Sequence, residues 1–166
     1  MTIATGDRLP AATLLEKTAA GIAPVTIEAL VAGRTVVIFG LPGAYTGTCS
    51  TLHVPSFVRV ADRLRAAGVD DIACVSVNDP HVMMAWGEAT GALAAGIRML
   101  SDADGAFTKA LGLDFSIPAA GLLGRSKRYS LLADDGVVKV LNLEASPGVC
   151  EASGGETMLE AVTTAA

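Results

Sequence analysis

The run Thr35-Val36-Val37-Ile38-Phe39 constrains the fold more than any other stretch of the chain. It is dense in β-branched and aromatic residues and has no polar side chain after its first position, which reads as a buried strand. A strand without a polar face needs cover on both sides, and helices packed on a parallel sheet provide it. Similar short runs predict strands at Ile72 to Val77, Ile97 to Leu100, Tyr129 to Ala133 and Val137 to Leu143. Between most of them lie helical stretches: Cys49 to Ala67, Pro80 to Ala95 and Gly105 to Leu111, with Glu156 to Val162 after the last strand.

Punctuation supports this order. Asp79 is placed to cap the helix that Pro80 opens, and Asp135-Gly136 is a two-residue hairpin signal between the last two strands. Alternating strands and helices imply parallel pairing, and the hairpin adds an antiparallel edge. The arrangement suits an α/β, thioredoxin-like sandwich: a central mixed sheet, helices on both faces and an N-terminal extension, in one domain spanning residues 1–166. Pro55 lies inside the helix that begins near Cys49 and should kink it. The kink serves either packing or independent tilting of the turn that carries Cys49.

Composition narrows the function. With 51% apolar residues the chain can bury a sizeable core, and its net charge of −5 excludes nucleic acid as the natural partner. The N-terminus has no basic segment followed by an apolar one, and no apolar run is long enough to cross a membrane, so neither secretion nor a membrane partner is expected. Three cysteines, Cys49, Cys74 and Cys150, are too few and scattered for a disulfide framework. Their odd number suits a reactive thiol in a cytoplasmic protein. No spacing among Cys49, His53, Cys74 and His81 recommends a metal, and no bound cofactor is implied.

Cys49 is the candidate nucleophile. It ends the loop Pro42-Gly43-Ala44-Tyr45-Thr46-Gly47-Thr48 at a strand-to-helix junction, where unpaired N–H groups and the positive end of the helix dipole favour a thiolate. Cys74, inside an apolar strand, reads as an inert core residue. Arg128, taken alone, reads as a solvated charge near a strand start, with Arg125 as its neighbour and rival. His53, four residues after Cys49, shares its helix face and raises the possibility of a cysteine hydrolase. No third group orients it, so it is assigned a supporting role, and His81 is expected to be exposed.

Pro42, Thr46 and Cys49 reproduce the Pro-x-x-x-Thr-x-x-Cys signature of the peroxiredoxins. The longer FGLPGAYTGTCSTLHVPSF resembles their type II, atypical two-cysteine branch. The resemblance extends through GDRLPAATL, CVSVNDPHVMMAWG, LSDADGAFTKALGL and GRSKRYSLLADDGVVKVLNLE. It implies a thiol-dependent peroxidase that reduces hydrogen peroxide and small alkyl hydroperoxides through a sulfenic acid on Cys49. Thr46 would face the sulfur and the peroxide, Arg128 would supply positive charge, Pro42 would shield the sulfur, and His53 would support the site. Gly47 departs from the family, which often has proline there.

Three routes for resolving the sulfenic acid stay open: Cys74, which lies 25 residues after Cys49, Cys150, or an external thiol. Glutathione, glutaredoxin or thioredoxin is the implied reductant, and a homodimer the implied assembly. The rival reading is a peroxide-sensing relay that passes oxidation from Cys49 to a protein partner by disulfide exchange.

Overall fold

A computed structural model describes residues 1–165; Ala166, the end of the expected domain, lies outside the described residues. In chain order the elements are β1 (Thr13–Thr18), β2 (Gly21–Thr26), α1 (Ile27–Val31), β3 (Thr35–Gly40), a π-helical turn (Cys49–His53), α2 (Val54–Ala66), β4 (Asp71–Ser76) and α3 (Pro80–Thr90). There follow β5 (Arg98–Ser101), α4 (Ala106–Ala110), β6 (Asp114–Ile117), a 3-10 turn (Pro118–Ala120), β7 (Leu122–Ser126), β8 (Tyr129–Asp134), β9 (Val137–Leu143) and α5 (Gly155–Ala165).

Seven strands form one sheet in the order β2-β1-β5-β4-β3-β8-β9. The pairs β3–β4 and β4–β5 are parallel, and β3–β8 and β8–β9 are antiparallel. Helices cover both faces, as the apolar run in β3 requires. Side chains alternate across a strand, and Val37 and Phe39 point into a core with Phe57, Trp86 and Met158 of α2, α3 and α5. Val36 and Ile38 point into a second core with Leu30, Phe107 and Leu111. Each such side chain, fully buried, contributes about 1.5–3 kcal/mol of transfer free energy.

The hairpin at Asp135-Gly136 forms as expected, with φ of 47° and 78°, and Asp79 caps α3 by accepting from Val82 N at 2.9 Å. The expected helix over Pro80 to Ala95 stops at Thr90, because Gly91 adopts a left-handed conformation (φ 79°) and closes it. The N-terminal extension is not an appendage: β1 and β2 form an antiparallel hairpin that builds one edge of the sheet. Its strands carry little sequence signal because only Leu14 of β1 is buried and β2 lies almost entirely exposed; the backbone ladder, not burial, holds them. The small β6–β7 hairpin was likewise not legible, β6 being mostly exposed and β7 mostly half-buried.

Helix α5 closes the structure over α2, and Gly155 sets their distance. A Cβ there would meet the Ser56 carbonyl oxygen, and Gly155 N donates to Ser56 Oγ at 2.8 Å. Gly155→Ala must therefore push against backbone that cannot rotate away, at a cost of about 1–3 kcal/mol. The denaturation midpoint is expected to fall accordingly; an unchanged midpoint would mean that α5 shifts on α2 without penalty.

Candidate active site

The chain leaves β3 at Gly40, where a Cβ would run into the Tyr129 ring, and enters a loop fastened from three directions. Ala44 N donates to Asn78 Oδ1 at 2.9 Å, Arg125 Nη1 donates to the Pro42 carbonyl at 3.1 Å, and Thr46 Oγ1 donates to the Gly43 carbonyl at 2.7 Å. Tyr45 turns the loop with φ 60°. Ser50 N then bonds the Thr46 carbonyl at 3.0 Å, so Cys49 sits in the first helical turn. The irregularity expected at Pro55 is the π turn just before it: Val54 N reaches back to Cys49 O. Proline lacks an N–H and its ring crowds the carbonyl four residues earlier, and a widened turn accommodates both.

Cys49 is fully buried, and the residue beside it is Arg128, only 2% exposed. Arg128 Nη2 lies 3.1 Å from Cys49 Sγ. The same nitrogen donates to the Pro147 carbonyl at 2.9 Å and Nε donates to it at 3.2 Å. Arg128 is thus no solvated surface charge. Of its hydrogen-bond partners the cysteine sulfur is the one that can become an anion, so the thiolate is the form that neutralises a charge already committed to the interior.

His53 completes the cluster. Arg128 Nη1 lies 3.0 Å from His53 Nδ1, and His53 Nε2 lies 3.1 Å from the Ser153 carbonyl. A guanidinium only donates and a carbonyl only accepts, so the imidazole is neutral with its proton on Nε2. Burial, with the Arg128 charge second, drives the His53 pKa from 6.5 to about 3, against the opposing Ser153 hydrogen bond. With Nδ1 accepting from arginine and Nε2 donating to a carbonyl, neither nitrogen can take the Cys49 proton, which removes the hydrolase arrangement. The ring packs 5.2 Å from Phe39 and 5.7 Å from Phe57.

The remaining sequence candidates divide. Pro42 is buried in the loop, and half-buried Thr46 turns its hydroxyl hydrogen to Gly43 rather than to the sulfur. Cys74 is fully buried in β4, and burial pushes its thiol pKa up, with Cys49 adding to the rise. Cys150 is half-buried in the irregular segment between β9 and α5. Burial raises its thiol pKa too, while the Arg128 charge pulls it down. His81 is exposed and stands 3.0 Å from Lys17 Nζ, away from this cluster. Sequence reasoning missed the carbonyls of Pro147 and Ser153, the Asn78 amide that fastens the loop, and Glu144, whose Oε1 accepts from Ser153 N at 2.7 Å. Arg125, read as a rival to Arg128, instead holds the Pro42 carbonyl.

A buried thiol and guanidinium at a strand–loop–helix junction of a mixed sheet define a thiol-based redox protein. The sequence model of the Redoxin family matches residues 4–159. The chloroplastic peroxiredoxin-2E-2 of Oryza sativa subsp. japonica is 51% identical over 165 residues, which cover 97% of this chain and 73% of the rice protein. Chloroplastic peroxiredoxin-2E of Arabidopsis thaliana is 48% identical over 164 residues, covering 96% of this chain and 69% of that protein. Among solved structures, reduced Prx3 from Vibrio vulnificus in complex with hydrogen peroxide has a TM-score of 0.89 at 49% identity, covering 97% of this chain and 99% of that one. The chain belongs to the peroxiredoxins and is a thiol-dependent peroxidase with a thioredoxin-like fold.

The neutral histidine has a measurable consequence. Below pH 6.5 the unfolded chain binds a proton at His53 that the folded protein refuses until about pH 3. Stability should therefore be complete above that upper value and decline on acidification, at up to about 1.4 kcal/mol per pH unit. Between pH 6.5 and about 5, where carboxylates remain ionised, His53→Gln should flatten the slope measured by denaturant unfolding. An equal slope in both proteins would place the proton uptake elsewhere.

Proposed function

We propose that this protein reduces hydrogen peroxide and small organic hydroperoxides at Cys49 and is recycled by glutathione, glutaredoxin or thioredoxin. The observation that carries the reading is the 3.1 Å approach of Arg128 Nη2 to Cys49 Sγ, both side chains being buried. The thiolate attacks the terminal peroxide oxygen, an S–O bond forms as the O–O bond breaks, and the electron pair leaves on the second oxygen, which takes a proton. The products are a sulfenic acid and water or an alcohol. Arg128 steadies the thiolate and then the charge growing on the leaving oxygen. Thr46, with its hydrogen committed to Gly43, has lone pairs left to accept the O–H of the hydroperoxide. Pro42 keeps water from the sulfur. Complete burial of Cys49 favours slim substrates.

For resolution we favour Cys150. Bringing Cys74 to Cys49 would draw β4 out of its ladders with both β3 and β5. Cys150 lies in a segment without regular structure whose Gly148 carbonyl already accepts from Thr48 Oγ1 at 3.2 Å. Its thiol attacks the sulfenic sulfur, water leaves, and the external thiol reduces the resulting Cys49–Cys150 disulfide. Tyr45 and Leu123, 60% and 64% exposed, lie on the active-site loop and on the β6–β7 hairpin whose Arg125 holds that loop. These apolar side chains support a homodimer through the face near the site.

Cys49→Ser is expected to lose peroxide turnover with any thiol reductant, and Arg128→Lys to slow it by about 10- to 100-fold, the worth of a charge-assisted hydrogen bond. Full turnover by Cys49→Ser sinks the reading. Intact mass after one equivalent of peroxide should show loss of two hydrogens in the parent and in Cys74→Ser but not in Cys150→Ser; the reverse pattern assigns Cys74. Sedimentation should report a dimer that Leu123→Glu weakens, and a monomeric parent excludes the proposed assembly.

A further inference from the structure

Glu144 follows β9 and is 8% exposed, an unusual place for a carboxylate outside the reacting cluster. Its backbone N donates to the Arg128 carbonyl at 3.0 Å, so it stands directly across from the arginine. Its Oε1 accepts three hydrogen bonds from one stretch of chain: Glu151 N at 2.8 Å, Ser153 N at 2.7 Å and Ser153 Oγ at 2.8 Å. The segment between β9 and α5 has no regular structure to fix it. This carboxylate clips its two ends together.

That segment holds both carbonyls that orient the arginine. The Pro147 carbonyl accepts from Nε and Nη2 of Arg128, and the Ser153 carbonyl fixes His53, whose Nδ1 accepts from Nη1. Resting on the reading of Cys49 and Arg128 given above, we propose that Glu144 is a positioning residue for the peroxidase reaction. It acts through Ser153 and His53 to set the face of the guanidinium turned to the sulfur. A carboxylate suits the task because one ionised oxygen can hold several N–H and O–H donors at once. Loss of the clip frees Ser153, lets His53 rotate, and leaves Arg128 held only by Pro147 and the sulfur it must orient against.

The test is the second-order rate of Cys49 with hydrogen peroxide, followed against pH alongside the ultraviolet absorbance of the thiolate. The ionisable groups coupled to the sulfur are Arg128, in contact with it, and the thiols of Cys74 and Cys150; His53 stands behind Arg128 and is neutral across the working range, and Glu144 stands behind Ser153. Glu144→Ala should lower the rate about tenfold, the scale of one hydrogen bond to a charged group. It should also move the appearance of the thiolate to higher pH. Glu144→Gln, which keeps an acceptor oxygen and removes the charge, should recover the rate to within about threefold of the parent. In a double-mutant cycle, Glu144→Ala combined with His53→Ala should be no slower than His53→Ala alone.

A folded Glu144→Ala with the parental rate and thiolate titration overturns the proposal, as do losses that multiply in the cycle. A Gln variant as slow as the Ala variant overturns it too, since charge and not positioning would then be at work. If Glu144→Ala does not fold, Glu144→Asp, which withdraws the carboxylate by one methylene, is read by the same criteria. Arg128→Lys separates the two readings: a parental rate there removes the role of Arg128 itself, whereas a slow Arg128→Lys beside a fast Glu144→Ala removes only the role of Glu144.

Discussion

A guanidinium cannot shed its charge by titration, so once Arg128 is carried inside at the start of β8 the surroundings must be built for it. Removing such a group from water costs several kcal/mol even after relaxation, and geometry must offset that cost. The structure meets it with two bonds to the Pro147 carbonyl, one to His53 Nδ1 and one to Cys49 Sγ. These partners come from the segment after β9 and from the two ends of the π turn. Moving either element takes acceptors away from the charge. The site is therefore a joint between parts of the fold, and the catalytic contact and the packing of α2, β8 and α5 are maintained together.

The π turn has a plain place in this joint. Cys49 opens it and His53 closes it, and both side chains reach the same guanidinium. Ser56, one turn further on, gives its hydroxyl hydrogen to the His53 carbonyl at 2.6 Å and accepts from Gly155 N at 2.8 Å. The carbonyl that ends the irregular turn is thus held by the side chain that also fastens α5. The small residue at position 155 and the widened turn at 49–53 answer one demand, that α5 and its preceding segment lie close over the sulfur.

How much of this was legible in the sequence depends on where the information sits. The β3 run, the Asp135-Gly136 turn and the Asp79-Pro80 cap are local signals, and each appears where expected. Cys49 at a helix start was legible because loop, cysteine and helix are contiguous. Arg128 was not, on its own residues: between Lys127 and Tyr129 it looks like any basic residue at a strand edge, and only the family resemblance separated it from Arg125. Glu144 gave no signal at all. Its strand, Val137–Leu143, reads as alternating and partly exposed, so a carboxylate after Leu143 points to water by pattern. What buries it is the return of Glu151 and Ser153, a tertiary closure that no local periodicity encodes. The β1–β2 hairpin escaped for the opposite reason, since it is held by backbone bonds while its side chains stay largely outside.

The proposed chemistry alters the balance that holds the joint. A thiolate gives Arg128 an anion at 3.1 Å. A sulfenic acid gives it a neutral neighbour, and so does a disulfide. In both oxidised states the guanidinium keeps only neutral acceptors within hydrogen-bond reach, the arrangement in which a buried charge is least well compensated. The element with least independent support is then the segment between β9 and α5, which has no ladder of its own and is held mainly through Glu144 and Arg128. The strand that follows Arg128, by contrast, is paired along its length with β3 on one side and, through one bulge, with β9 on the other. On the proposed chemistry, oxidation removes charge compensation on the side of the site that carries Cys150. On the same proposal, return of the free thiolate restores the anion beside Arg128 and, with it, that compensation.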